Sequence, residues 1–230
     1  MIVIITGASR GIGKALAREF AGEGNILLLN ARNEPALKVS AEEIKQAGGK
    51  VEYLAADLAV SEEVKRFAKW CLSFGTPGIL INNAGSFVPG NVSDEATGNL
   101  DIMLRANLIS AYELTRAVLP SMLVRNEGHI FFMNSIAGLK AYEGGGSYSI
   151  AKHALRGFSA NLRAELMPTG IKVTSVFPGA VFTDSWSGFD NSNGRIMEAD
   201  DIAQMIKACS KLSKQATVEE IVIRPQAGDL

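Results

Sequence analysis

The chain has 230 residues, 47% of them hydrophobic and 20% charged, which is enough apolar material for one core that folds without staples. Lys plus Arg number 23 against 24 Asp plus Glu, a net charge of -1 with no run of like charges, so no broad basic field is offered to nucleic acid. Cys71 and Cys209 lie far apart without CxxC or Cys/His spacing, and there is no 18-residue apolar run or basic leader. The expectation is a cytoplasmic protein with two buried thiols, no metal and no membrane span.

Residues 2–6 (IVIIT) form the first expected strand, and "TGASRGIG" at 6–13 follows it directly. Beyond Gly11, the residues Ile12, Ala15, Leu16 and Phe20 share one helix face. A glycine loop in this setting gives a tight turn at Gly7, room for a pyrophosphate at Gly11 and close helix packing at Gly13. The helix N-terminus then presents free N–H groups and a positive dipole end to phosphate. By itself the loop would also serve as an ordinary connection, so the rest of the site must decide.

The second strand, 26–30, runs into Asn30-Ala31-Arg32. NAD-specific sites place an Asp or Glu there for the ribose 2'-hydroxyl. Arg32, with Arg10 from the glycine loop, instead suits a 2'-phosphate, which a carboxylate would repel. Glu34 is the competing group, should it turn inward. A helix over 34–47, a strand over 51–55 and a helix over 61–74 come next, the last opening on Ser61-Glu62-Glu63 as a cap and acidic first turn. Then follow a strand at 79–82, a long helix at 99–124, a strand at 130–134, a long helix at 148–167, a strand at 173–177, a helix at 200–212 and a strand at 221–224. Most strands are continuous apolar runs, as in a parallel sheet covered on both faces. The whole chain, 1–230, therefore reads as one α/β domain, a doubly wound Rossmann sheet of about seven strands with helices on both sides.

"NSIAGLKAYEGGGSYSIAK" spans 134–152. Tyr148 and Lys152 are four apart and share a helix face. Ser135 stands at the carboxyl end of a strand, where such sheets bind ligands. A Tyr hydroxyl with pKa near 10 can pass a proton to a developing alkoxide once an ammonium beside it lowers that value. A lone YxxxK carries little weight; the conjunction carries much more.

TGxxxGxG at 6–13, "NNAG" at 82–85, Asn107 in "RANL", Ser135, Tyr148-x-x-x-Lys152 and Pro178-Gly179 occur in this order over nearly the full chain. The set resembles the short-chain dehydrogenase/reductase family. Within it, "LLNARNEPAL", "HIFFMNS" and "PGAVFTDSW" look most like bacterial sepiapterin reductase-like and 3-oxoacyl reductase-like members. The resemblance implies Tyr148 as acid/base, Lys152 as the residue that holds the nicotinamide ribose and depresses the Tyr pKa, Ser135 as the substrate-orienting hydroxyl, and Asn107 as the holder of a water in a proton relay. It implies cofactor contacts from Gly7, Ser9, Arg10, Gly11, Ile12 and Gly13, from Arg32, from Asp57 and Leu58 at the adenine, from Asn83, Ala84 and Gly85, and from Pro178, Gly179, Val181 and Thr183 along the nicotinamide, with Tyr148 and Lys152. Asn82 could equally be structural. NADP(H) is the expected cofactor, a small carbonyl or alcohol the expected substrate, and a homodimer or homotetramer the expected assembly. The segment 184–199 is short for the family, so a small lid is expected.

The expected reaction is NADPH-dependent reduction of a ketone or aldehyde, the alternative an NAD-dependent alcohol oxidation that the missing acidic residue at 30–32 disfavours. A regulator that has lost its chemistry would lack Ser, Tyr or Lys, and all three are present. His129 and His153 have no partners at ligand spacing, so surface or satisfied polar roles are expected for both. Trp186, Phe189 and Tyr142 are expected either to border the substrate or to pack a lid. Asp184 could meet a polar substrate or cap a helix.

Overall fold

A computed structural model describes residues 1–186 and 188–229. Seven parallel strands make one sheet in the order β3-β2-β1-β4-β5-β6-β9. They are β1 (Ile2–Thr6), β2 (Ile26–Ala31), β3 (Lys50–Ala55), β4 (Ile79–Asn82), β5 (Gly128–Met133), β6 (Ile171–Pro178) and β9 (Glu220–Ile223). A parallel sheet needs a crossover between successive strands, and helices supply it. Helices α1 (Gly11–Phe20), α2 (Glu34–Gln46) and α7 (Ala199–Ser210) cover one face, burying Leu16, Phe20, Leu37, Ile202 and Ile206 against Val3, Ile5 and Leu29. Helices α3 (Ser61–Ser73), α5 (Ser110–Arg125) and α6 (Gly146–Leu166) cover the other, burying Phe67, Leu114, Val118, Leu155 and Leu162 against Ile4, Leu80 and Phe132. Alternate strand residues thus enter opposite layers, which is why the strands read as unbroken apolar runs.

The largest shifts from the expected strand boundaries have a register reason. Gly128 pairs with Ile171, so β5 and β6 both begin two residues early. The expected long helix at 99–124 is α4 (Asn99–Leu104) and α5, joined by a π-turn at Arg105–Ile109. There Ser110 N–H reaches back five residues to Arg105, while the Asn107 side-chain amide takes the Met103 carbonyl at 3.1 Å. A small pair outside the main sheet, β7 (Val181–Phe182) with β8 (Met197–Glu198), brings together the chain on either side of the segment expected to form a small lid. No periodic pattern announces strands of two residues.

Strand order reverses between β1 and β4, so their two following loops diverge and leave a crevice at the carboxyl edge. Thr6 ties the crevice together. Its buried hydroxyl accepts from Asn83 N–H at 3.0 Å and Ala84 N–H at 2.8 Å. Asn83 returns its amide to the Thr6 carbonyl at 2.8 Å. Asn82 is buried and donates to Thr115 of α5 at 3.0 Å, which places it in packing rather than in the crevice. Cys71 and Cys209 are both buried free thiols, and burial raises both pKa values.

Candidate active site

The crevice is a cleft of about 710 Å³ lined by the glycine loop, the end of β2, residues 56–59, residues 83–86 and Thr183 to Ser185. A Cβ on Gly13 would overlap the Gly7 carbonyl oxygen, so the first turn of α1 can approach β1 only with glycine there. Gly7 and Gly11 have φ of +67° and +52°, a left-handed turn that favours glycine. Arg10, the residue before helix α1, gives it no side-chain cap, and the first turn holds no acidic residue. Its first N–H groups therefore remain for an anion. This cradle fits a dinucleotide pyrophosphate.

At the far end of the cleft, Arg32, Asn33, Asp57 and Leu58 are lining residues. Asn30 is a further lining residue, largely buried, and donates its amide to the Leu54 and Ala56 carbonyls, which ties the end of β2 to the loop after β3. Arg32 is exposed, with no carboxylate partner among the described residues. Glu34 is exposed and outside the lining. Arg10 is not free. It pairs with Asp184 at 3.1 Å across the cleft mouth, both side chains being well exposed. Asp184 therefore neither caps a long helix nor stands apart on the surface; it meets the glycine loop.

The reacting end is built on α6. Tyr148 and Lys152 stand in its first turns, and the Lys152 ammonium lies 5.6 Å from the Tyr148 ring centroid. Lys152 is buried and donates to the Met133 carbonyl at 2.9 Å. Burial without a carboxylate partner lowers its pKa to about 8. Burial also pushes the Tyr148 phenol up to about 12, while the Ser135 hydroxyl beside it pulls the other way. Ser135 Oγ accepts from Ala137 N–H at 3.1 Å, which fixes the side chain at the end of β5. A Cβ on Gly85 would stand 2.6 Å from Asn107 Oδ1 and 3.7 Å from Lys152 Nζ, so these three positions converge. Asn107 Oδ1 is buried there with no hydrogen-bond partner among the described residues. An orphaned acceptor beside a buried ammonium suits a bridging water.

Of the expected cofactor positions, Gly7, Ser9, Arg10, Gly11, Ile12, Gly13, Arg32, Asp57, Leu58, Asn83, Ala84, Gly85 and Thr183 line the cleft. Thr183 lies against Gly11, where a Cβ would meet its methyl at 3.1 Å. Val181 sends its side chain into the core. A Cβ on Gly179 would face Pro225 and Asp229, so Gly179 presses on the C-terminal tail. Trp186 and Phe189 pack edge to face at 5.4 Å, on the chain between β7 and β8. His129 is buried against Thr174 Oγ1 at 2.8 Å, and burial lowers its pKa to about 3. His153 turns back on the Ser149 carbonyl at 2.9 Å. Sequence reasoning missed Phe87, whose ring stands edge-on to Tyr148 at 4.9 Å, and Glu95, which reaches the start of α6. Neither lies in a periodic segment, so no local signal marks them.

A doubly wound sheet with an anion cradle at its switch point, and a Ser, Tyr and Lys set beside it, defines a dinucleotide-dependent oxidoreductase. The profile of the family described as short chain dehydrogenase matches residues 1–193. A sepiapterin reductase of Chlorobaculum tepidum is 31% identical over 238 residues, covering 100% of this chain and 98% of its own. A metagenomic short-chain oxidoreductase, solved in complex with NADP, is 32% identical with a TM-score of 0.86 and covers 98% of this chain and 97% of its own. The closed form of a serine dehydrogenase complexed with NADP+ is 27% identical with a TM-score of 0.88, over 100% and 97%. The chain belongs to the short-chain dehydrogenase family and is a nicotinamide-dependent oxidoreductase.

Proposed function

We propose that the protein is an NADPH-dependent carbonyl reductase in which Tyr148 gives the proton to the carbonyl oxygen. The observation that carries this reading is the cluster of Tyr148, Lys152, Ser135 and the orphaned Asn107 Oδ1, which meets at Gly85 a cleft that Arg10 and Arg32 also line. When bound, the nicotinamide supplies the hydride. Gly7 to Gly13 would hold its pyrophosphate, Arg10 and Arg32 its 2'-phosphate, Asp57 and Leu58 its adenine, and Lys152 with Tyr148 its nicotinamide ribose. The Ser135 hydroxyl donates to the substrate oxygen and holds it against the phenol. Tyr148 is protonated at neutral pH, its pKa being near 12, so it starts as the acid that reduction needs. The Lys152 ammonium stabilises the phenolate left behind, and Asn107 gives the proton a way back from solvent.

A panel of ketones, dicarbonyls, pterins and acyl thioesters, followed by loss of NADPH absorbance, tests the activity. At least one class should be turned over. Oxidation of alcohols with NAD and no reduction of any carbonyl would overturn the reading.

The assembly belongs to the same proposal. Helices α4, α5 and α6 bury Met103, Leu114, Leu155 and Leu162 but leave Leu100, Ile102, Tyr112, Leu123 and Ile150 more than 40% exposed. So many apolar side chains on neighbouring helices favour a partner, and a homodimer or homotetramer built through these helices would cover them. Light scattering at micromolar concentration should give a multiple of the 24.5 kDa chain mass, and the single-chain mass would reject this.

A further inference from the structure

We propose that Glu95 is a positioning residue for the catalytic helix, capping α6 from a distant loop and thereby fixing the place of Tyr148. The inference rests on the reading of Tyr148 as proton donor. Helix α6 begins at Gly145-Gly146 and has no side-chain cap of its own. Its first-turn N–H groups need acceptors, and the two residues that open it have no side chain to offer. Glu95, 52 positions earlier, fills the gap. One carboxylate oxygen accepts from the Ser147 N–H at 3.2 Å and the other from the Ser147 hydroxyl. Ser147 is fully buried and immediately precedes Tyr148. A carboxylate here also meets the positive end of the helix dipole.

The backbone around this contact allows little else. Gly146 has φ of +34°, and a Cβ on it would overlap the Gly90 carbonyl oxygen. Gly90 N–H bonds the Gly144 carbonyl at 3.1 Å, and Gly144 N–H bonds Asn91 Oδ1 at 2.8 Å. Glu95 N–H is itself held by the Asn91 carbonyl at 2.8 Å. The loop after β4 therefore grips the start of α6 with a row of polar contacts. The same loop carries Phe87, whose ring sets the edge of Tyr148. Loop and helix form one unit, and the carboxylate of Glu95 is its charged member.

The test compares Glu95→Ala, Glu95→Gln and Ser147→Ala with Tyr148→Phe. Misplacement of a reacting group by about 1 Å costs on the order of 10²-fold, and a loosened first turn moves Tyr148 by part of that. Glu95→Ala should lower kcat roughly 10- to 30-fold, with KM for NADPH changed far less, because the glycine loop, the end of β2 and residues 56–59 make most of the cofactor cleft and lie apart from Glu95. Glu95→Gln keeps an oxygen for one of the two donors and should restore kcat to within about 3-fold of parental. Ser147→Ala should give a partial loss, and Glu95→Ala added to it should cost much less than the product of the two. In the cofactor-free protein, amide exchange across 146–152 should speed at least 10-fold in Glu95→Ala while other helices keep their rates. Parental kcat and unchanged exchange in Glu95→Ala overturn the proposal. So does a uniform rise in exchange across all helices, with Gln no better than Ala. Full activity in Tyr148→Phe would instead overturn the reading beneath it, and a dead Tyr148→Phe beside a parental Glu95→Ala would overturn only this inference.

Discussion

Tyr148→Phe is expected to lower turnover by about 10²- to 10⁴-fold or more while leaving the fold intact, the range that acid/base groups contribute. Only a hydroxyl is removed. The ring remains, and with it the 4.9 Å edge contact to Phe87. The NADPH dissociation constant and the melting temperature should stay near parental values, because the cradle at Gly7 to Gly13 is untouched. The parental enzyme should also show a pH signature. Lys152 is buried without a counterion and titrates near 8, so its positive charge is present below that pH and lost above it. Carbonyl reduction should therefore fall as pH rises through about 8, since the neutral amine no longer stabilises the phenolate. Stopped-flow turnover and a pH profile of kcat check both statements. A Phe variant running at near the parental rate would remove Tyr148 from the mechanism.

Arg32→Asp is expected to abolish most of the preference for NADPH over NADH. A charge-assisted contact to phosphate contributes about 1.5–3 kcal/mol. Arg32 is exposed, so part of that is screened, and Arg10 must first leave Asp184, an exposed pair worth at most about 1 kcal/mol. Together these leave roughly 1.4–2.7 kcal/mol, or about 10- to 100-fold in favour of NADPH. A carboxylate at position 32 would repel the 2'-phosphate and accept the 2'-hydroxyl instead. Glu34 does not already do this, since it is exposed and outside the cleft. Titration of both cofactors into both forms decides the matter. Equal affinities in the parental protein, or no change on substitution, would reduce Arg32 to a surface residue.

The periodic and local features of this protein were determined by the sequence alone. Unbroken apolar strands such as Ile2–Thr6 signal a parallel sheet because both their faces are covered, and Tyr148 and Lys152 share a helix side because four residues make about one turn. The glycine loop is legible too, because only glycine allows the crowding between Gly13 and Gly7. What repeats, or what a single backbone conformation demands, leaves a mark in the order of residues.

Other features required the tertiary structure. Arg10 meets Asp184 across 174 positions, Glu95 meets Ser147 across 52, and Asn107 meets the Ser86 carbonyl through a π-turn inside what reads as one plain helix. Each is a polar contact of one or two hydrogen bonds between a loop and a distant element. A loop has no repeat to betray which way a side chain points, and the strength of such a contact depends on what the fold brings near and shuts away from water. The reacting groups could thus be named from their spacing, while the groups that hold them in place are chosen by packing.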